Sequence, residues 1–365
     1  MNHTQDLIDR IRLIRTSGIG PVSYRQLLLR FGNAAAALDA IPDLARRGGG
    51  KVPSVFPEHL ARREMESVEQ AGARYLTFGQ GLYPRALAEL ESAPPLLTVK
   101  GDLTLLDRAL VAIVGARNAS AAACRFARGL ANDLGRAGAT VVSGLARGID
   151  SAAHDGSLET GTIAVIAGGV DVTYPPENAG RQKQIAEEGL LIAEMPPGTE
   201  PRARHFPYRN RIIAGLAGGT VVIEAAPKSG SLITARLAAE AGREVMAVPG
   251  SPLDARAQGC NQLIRDGATL IQSADDVLES IGHLNDRVSQ LARPYQPVST
   301  FMAADPDPDL RTQIEHLLNP SPVPVDEIVR LSGADPGAVQ LVLLELDLAG
   351  RLDRHAGNKV SVSCA

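Results

Sequence analysis

The sequence is poor in cysteine and in net positive charge, and each shortage excludes classes of protein. Its three cysteines, Cys124, Cys260 and Cys364, are odd in number and widely spaced. They fit neither a disulfide framework nor a zinc site and are typical of a reducing cytosol. A net charge of −4 and a pI near 6.0 argue against a protein that coats nucleic acid by bulk charge. Anion binding would therefore require a local patch of cations.

Long apolar runs are also missing. No stretch approaches the roughly 20 apolar residues that a membrane-spanning helix needs, and the charged start MNHTQDLIDRIRLIR is unlike a signal peptide. The seven histidines are scattered without the spacing of metal ligands. His154, in DSAAHDG, is the one histidine considered for a functional role, and a structural role is favoured for it. We therefore expect a cytoplasmic protein with no membrane span and no metal site.

Composition and periodicity divide the 365 residues into domains. Residues 1–80 are predicted to form a small helical domain, whose apolar helical period over 6–47 is interrupted by the turn SGIGPVS. Two helices joined by a Gly-x-Gly turn are typical of a helix-hairpin-helix or SAM-like domain, in which the turn amides can face a phosphate. A plain helical hairpin explains the same pattern and is favoured, because a single hairpin is a weak signal.

The central part, residues 81–285, alternates apolar runs with helical stretches after a Pro-rich bridge at 84–101. The runs are rich in β-branched residues, as expected of buried parallel strands: ALVAIVGA, ATVVSGLA, GTIAVIAGG, GLLIAEMP, GGTVVIEA and REVMAVPG. This alternation predicts an α/β fold with a doubly wound, Rossmann-like parallel sheet. Residues 286–305 are interpreted as a linker. Residues 306–365 show three short helices and a strand pair, the outline of a winged helix.

One short stretch concentrates the positive charge that the whole chain lacks. RARHFPYRNR, residues 202–211, contains four arginines, one histidine and two aromatic residues, and no acid. Because a proline interrupts any regular period, the stretch is predicted to be a loop. Arginine pairs bidentately with phosphate and rings stack on bases, so arginines around Phe206 and Tyr208 indicate single-stranded nucleic acid. The competing interpretation puts Phe206 in the core and pairs the arginines with Glu194 and Glu224.

Further candidates follow the ends of predicted strands, where open parallel sheets bind ligands. Arg117 follows the first strand at a helix start, where backbone amides and the helix dipole favour an anion. It also stands where a dinucleotide fold has its second glycine, so NAD is not expected. Tyr174 and Asn178 are candidates for the wall of the crevice. The predicted DNA-binding residues are Gly115, Arg117, Gly144, Arg147, Phe206, Arg209, Asn210, Arg211, Lys228, Ser229, Gly230 and Ser231.

Six blocks in the central region carry a family resemblance: VAIVGARNAS, VVSGLARGIDSAAHDGSL, VIAGGVDVTYPPEN, HFPYRNRIIAGLA, VVIEAAPKSGSLITARLAAEAGREVMAVPGS and GCNQLIRDGATLI. Together they resemble the DNA-processing protein A family, also called DprA or Smf. The resemblance spans the α/β domain and fits the helical start and the winged-helix tail. It implies a homodimer that binds single-stranded DNA regardless of sequence, protects incoming DNA and loads RecA on it during natural transformation and recombination. It implies no catalytic activity and no cofactor.

The resemblance also implies a dimer contact in NQLIRDGATL, chiefly through Leu263, Ile264 and Leu270. That segment is apolar every few residues, which suits burial against a second copy. The tail from residue 307 onward carries nine acidic against five basic residues. A winged helix that reads duplex DNA should be basic, so we expect this one to be a protein-contact or structural module.

Two other functions remain open from the residues. GLAGGTVVIEA faintly resembles the glycine-rich, glutamate-ended motif of nucleotide-cleaving phosphoribohydrolases, in which Glu224 with Arg209 would activate water at a ribosyl bond. A plain nucleotide-binding regulator is the other alternative. It would saturate with a mononucleotide, whereas a strand binder needs several linked nucleotides.

Overall fold

The structure is a computed structural model that describes residues 3–291, 306–355 and 357–363. These residues form two compact units, one made of the described residues up to Met65 together with those from 306 onward, and the other made of residues 66–291. Cys364 and most of the predicted linker, residues 292–305, lie outside the described residues.

Four helices open the chain: α1 (His3–Arg15), α2 (Pro21–Phe31), α3 (Ala34–Arg47) and α4 (Glu58–Gln70). Local signals set their ends. Pro21 occupies the first position of α2, where no backbone donor is needed, and Gly32 ends that helix in the left-handed region, at φ +78°. The Asn33 side chain then caps α3 by accepting a hydrogen bond from Ala36 N at 2.9 Å.

A nine-stranded sheet occupies the centre of the described chain. Its strands are β1 (Arg74–Thr77), β2 (Leu96–Gly101), β3 (Leu110–Gly115), β4 (Thr140–Ser143), β5 (Thr162–Ile166), β6 (Leu190–Ala193), β7 (Gly219–Ile223), β8 (Glu244–Ala247) and β9 (Thr269–Leu270). The accompanying helices are α5 (Arg85–Ala88), α6 (Ala121–Arg136), α7 (Ile149–Ser157), α8 (Ala179–Glu188), α9 (His205–Leu216), α10 (Gly230–Glu240), α11 (Gln258–Arg265) and α12 (Ala274–Leu291), with 3-10 turns at Leu103–Asp107 and Pro176–Asn178.

The strand order is β1-β2-β6-β5-β4-β3-β7-β8-β9. Strands β3 to β9 run parallel, with apolar side chains buried on both faces of the sheet, so the predicted doubly wound α/β fold is confirmed. The prediction for residues 84–101 was wrong in part. Leu96–Gly101 is a strand that pairs antiparallel with both β1 and β6, because its run LLTV is buried behind the prolines. The helix α12 also covers residues 286–291, which were predicted to belong to the linker.

The C-terminal segment is a winged helix, as predicted. It comprises α13 (Pro308–Leu317), β10 (Val323–Pro324), α14 (Val325–Ser332), α15 (Pro336–Leu348), β11 (Leu352–His355) and β12 (Lys359–Val362). The helix α15 holds the position of a recognition helix but is apolar on two sides. One side, with Val342 and Leu346, packs in the winged-helix core, and the other, with Leu341, Leu344 and Leu348, packs on α1 to α3.

Polar contacts fix α15 against the N-terminal helices. Glu345 is fully buried and lies 3.9 Å from Arg47 of α3, besides pairing with Arg311 of α13 at 2.8 Å. Gln26 Nε2 of α2 donates to Gln340 Oε1 at 2.6 Å. A Cβ at Gly48 would lie 2.1 Å from the carbonyl oxygen of Glu345, so only glycine permits this approach. The recognition face of the winged helix is therefore a protein contact in this structure.

Candidate nucleic-acid interface

The arginine-rich stretch begins a helix, so its prediction as a loop was wrong from His205 onward. Pro207 is the third residue of α9, within the first turn, where backbone N–H groups have no intrahelical acceptor and a proline is tolerated. The helical geometry has a direct consequence for the arginines. Because residues two apart on a helix point in different directions, Arg209 and Arg211 cannot line the same surface.

A pocket of about 210 Å³ lies at the carboxyl ends of β3, β4 and β5. Its lining residues are Arg117, Gly144, Leu145, Ala146, Arg147, Ile166, Ala167, Tyr174, Pro175, Pro176, Glu177, Phe206 and Arg209. Five residues chosen from the sequence as DNA-binding candidates therefore meet here, together with Tyr174. Parallel strands end at one edge of the sheet, which explains why residues far apart in the chain converge.

Phe206 lies close to two cations in this pocket. The guanidinium carbon of Arg117 is 5.2 Å from the centre of the Phe206 ring, and that of Arg209 is 5.9 Å away. The Tyr174 ring lies next to the Phe206 ring, with 5.8 Å between the ring centres. Phe206 is half-buried and Tyr174 is 42% exposed, so both rings can be reached from solvent. The interpretation of Phe206 as a purely core residue is therefore wrong.

Arg209 is a buried cation with unused hydrogen-bonding capacity. It is 7% exposed, its Nε has no hydrogen-bond partner, and its Nη1 donates to Asn210 Oδ1 at 3.2 Å. Burial lowers the pKa of Arg209, and the nearby Asp150 carboxylate opposes that effect. Because a buried donor without a partner is costly, its place in a pocket wall favours an anionic ligand.

Asp150, which sequence reasoning missed, organises the loop after β4. Its carboxylate accepts hydrogen bonds from Gly144 N and Ala146 N, both at 3.2 Å. Burial raises the pKa of Asp150, and the charge of Arg209 with these two donors counteracts the rise. Leu145, between the two donors, has φ +56°, a conformation that costs non-glycine residues about 1–3 kcal/mol. Asn178, predicted for the wall, stabilises this conformation by donating to the Leu145 carbonyl at 2.8 Å.

The glycines of the site allow close approach of backbone segments. A Cβ at Gly144 would lie 1.8 Å from Nη1 of Arg209, so the guanidinium rests directly on the backbone of the β4 loop. Gly148 has φ +75°, and a Cβ there would lie 2.2 Å from the carbonyl oxygen of Ala116. Gly115 similarly contacts the carbonyl of the neighbouring strand β7. These contacts bring the loops that carry Arg117 and Arg147 together.

The predicted anion site at the start of α6 is filled by the protein itself. Glu224 accepts from Ser120 N at 2.8 Å and from Ser120 Oγ at 2.6 Å, which is where a phosphate would otherwise bind. One interpretation of the sequence paired Glu224 with arginines, whereas in the structure it accepts hydrogen bonds from Ser120 at the start of α6. Glu224 is also absent from the pocket lining, so the geometry does not pair it with Arg209 over a shared ligand, as a phosphoribohydrolase would require.

Arg211 does not join the pocket, which corrects the prediction that it lines the groove. Its side chain donates to the Glu194 carboxylate and to the Ser92 carbonyl, and it is mostly buried. Asn210 is buried and accepts from Arg209. For Arg211 the competing interpretation, a pair with Glu194, agrees with the geometry, and Asn210 is likewise held within the protein.

The candidates at the start of α10 lie on the same sheet edge, beyond β7, but outside the pocket lining. Lys228 is exposed, whereas Ser231 is buried. Ser229 is the helix cap, and its Oγ lies 2.7 Å from Ser231 Oγ. Gly230 begins the helix, and a Cβ there would meet no atom within 4 Å. Lys228 is thus the one residue of this group with a charge available to a ligand.

The predicted dimer segment contains residues of different exposure. Leu263 and Ile264 on α11 are partly buried against the central core of their own chain. Leu270 is 46% exposed on β9, the last strand of the sheet, whose outer edge is unpaired among the described residues. An exposed edge strand with a leucine is suited to contact with another chain.

His154, the histidine considered for a functional role, has a structural explanation. His154 is fully buried, and its Nδ1 lies 2.8 Å from Thr162 Oγ1. The described residues contain no group of three or more His, Cys, Asp or Glu side chains arranged to hold a metal ion. In the same residues no helix has the length and apolar character needed to cross a membrane.

Family comparisons agree with the geometry along the chain. The model of the DNA recombination-mediator protein A family matches residues 74–282. The chain belongs to this family. The DprA-like N-terminal HHH domain matches residues 4–67 and the DprA winged helix domain matches residues 299–358. The predicted resemblance to DprA and Smf proteins is therefore confirmed.

Relatives of known name are similar over most of their length. The chain is 34% identical to protein Smf of Synechocystis, covering 94% of this chain and 95% of that protein. It is 41% identical to the DNA processing protein DprA of Streptococcus pneumoniae, covering 69% and 90% respectively.

Two solved structures are also similar. The X-ray structure of S. pneumoniae DprA has a TM-score of 0.65 at 36% identity, covering 76% of this chain and 98% of that one. A structure of Helicobacter pylori DNA processing protein A, described for its single-stranded DNA binding mode, has a TM-score of 0.51 at 28% identity, covering 61% and 99%.

Proposed function

We propose that the protein binds single-stranded DNA without sequence preference and protects incoming DNA during natural transformation. The observation that carries this proposal is the pocket in which the guanidinium groups of Arg117 and Arg209 lie within 6 Å of the centre of the accessible Phe206 ring. The single-stranded DNA binding mode for which the related H. pylori structure is described supports the same ligand.

The pocket chemistry suits a nucleotide within a strand. A phosphate would accept hydrogen bonds from Arg117 and Arg209, and a base would stack on Phe206 or Tyr174. Because every base has a π-face, stacking contributes about 1–3 kcal/mol per base with little dependence on sequence. At about 210 Å³ the pocket is smaller than typical sites for free ligands, which fits a strand that enters it in part and continues outside.

The rest of the strand would follow the exposed cations of the sheet edge, Arg147 and Lys228. A homodimer formed through the β9 edge, with Leu270 at the contact, would present two such pockets to one strand and increase its affinity. The protein is proposed to act without catalysis and to load RecA, since a strand held extended leaves its neighbouring stretches accessible to a recombinase.

The direct test compares fluorescein-labelled oligo-dT with a duplex of equal length by anisotropy. Oligo-dT should bind more tightly, and Arg117→Ala should weaken it because a charge-assisted phosphate contact is lost. Equal binding of duplex, or an unchanged Arg117→Ala variant, would contradict the proposal. Incubation with AMP provides the enzymatic control, and release of adenine would support the phosphoribohydrolase alternative.

A further inference from the structure

The rim of the pocket carries one ion pair. Arg147 Nη1 lies 3.7 Å from Glu177 Oε1, and the two side chains are 64% and 59% exposed. Among the described residues that line the pocket, Glu177 provides the one carboxylate. It belongs to the 3-10 turn Pro176–Asn178, and that turn is anchored where Asn178 donates to the Leu145 carbonyl. The carboxylate is thus held beside a cation at the mouth of an anion pocket.

Other carboxylates on this sheet edge also occupy positions that suit a phosphate, but more firmly. Glu224 holds the start of α6 through two hydrogen bonds of 2.8 and 2.6 Å. Glu194 pairs with Arg211, and both side chains are nearly buried. The Arg147–Glu177 pair differs because it is long and exposed. Exposed ion pairs contribute little to stability, so Arg147 can exchange Glu177 for another anion at low cost.

We propose that Glu177 is an internal competitor of DNA phosphate: it neutralises Arg147 in the free protein and is displaced when a strand binds. This inference rests on the proposed function of the pocket. A single phosphate can be held by Arg117 and Arg209 alone, whereas a strand brings a second phosphate that replaces Glu177 at Arg147. Glu177 therefore lowers the affinity for a strand, whose second phosphate must displace it from Arg147, more than it lowers the affinity for a single phosphate.

The test is Glu177→Gln in the full-length protein, with oligo-dT binding measured by anisotropy. The substitution keeps size and exposure and removes the competing charge, so binding should tighten by about two- to fivefold. Glu187→Gln removes a similarly exposed carboxylate from α8, outside the pocket lining, and is the matched control. Unchanged or weaker binding by Glu177→Gln would overturn the inference, as would an equal gain in the control.

A second variant tests whether Glu177 acts through Arg147. In an Arg147→Gln background the gain from Glu177→Gln should shrink, because no cation remains to be released. A gain of undiminished size would contradict displacement at Arg147. Wild type and Arg117→Ala in the same titrations separate the two proposals. If wild type fails to bind, the proposed function fails, whereas Arg117-dependent binding unaffected by Glu177→Gln rejects this inference alone.

Discussion

Gly144→Ala tests the pocket through a single methyl group. The added Cβ would lie 1.8 Å from Nη1 and 2.3 Å from Cζ of Arg209. To reach an ordinary contact of 3.4 Å, Nη1 must retreat by about 1.6 Å. Arg209 is 7% exposed and surrounded by protein, so it cannot retreat without leaving its position in the pocket wall. We therefore expect Gly144→Ala to remove the phosphate contact of Arg209 while leaving the fold intact.

The size of the effect follows from the contact that is lost. A hydrogen bond to a charged group contributes about 1.5–3 kcal/mol, so oligo-dT binding should weaken about 10- to 150-fold. Anisotropy titrations measure the affinity, and circular dichroism melts verify folding. Gly129→Ala is the matched control, since a Cβ on that exposed glycine of α6 meets no atom within 4 Å. Wild-type affinity in a folded Gly144→Ala protein would refute the assigned position of Arg209.

Three further predictions concern the arginines Arg117 and Arg211, the exposed Leu270 and the buried His154. Arg117→Ala should also weaken oligo-dT binding about 10-fold or more by anisotropy, with Arg211→Ala affected less because Arg211 already pairs with Glu194. Leu270→Glu should halve the mass measured by light scattering, since a carboxylate cannot be buried unpaired at the β9 edge; an unchanged mass would reject that dimer contact. Burial lowers the pKa of His154 to about 3, so the unfolded chain binds a proton that the folded one excludes. The contribution of neutral His154 to the free energy of unfolding should be fully present above pH 6.5. It should fall by about 2 kcal/mol on acidification from pH 7 to 5. His154→Gln should reduce that loss in thermal melts, and an identical pH dependence would contradict it.

Patterns in the sequence predicted the sheet because strands buried on both faces of a sheet appear as continuous apolar runs. A strand buried on both faces requires apolar residues at nearly every position, as in ALVAIVGA. The alternation of such runs with helices predicts that the strands are parallel. The convergence of Arg117, Gly144 and Phe206 was also predictable, since parallel strands share a carboxyl edge. The antiparallel strand Leu96–Gly101 was missed, because the prolines before it indicated a bridge.

Side-chain partners were the part that the sequence did not reveal. The interpretation of residues 202–211 as a loop left Arg209 and Arg211 free to point the same way, and the helix separates them. The pairing of Glu224 with Ser120 joins residues 104 positions apart, and no local pattern predicts it. The two-sided burial of α15 had a signal in VQLVLLELDL, which is apolar around most of the helix.

The most direct test of the central claim is the salt dependence of oligo-dT binding. The pocket offers Arg117, Arg147 and Arg209 to the strand, and Lys228 is exposed farther along the same sheet edge, so about four phosphates should be neutralised. A plot of log affinity against log salt concentration should therefore have a slope of about −3. A flat plot would contradict a site built on guanidinium–phosphate contacts.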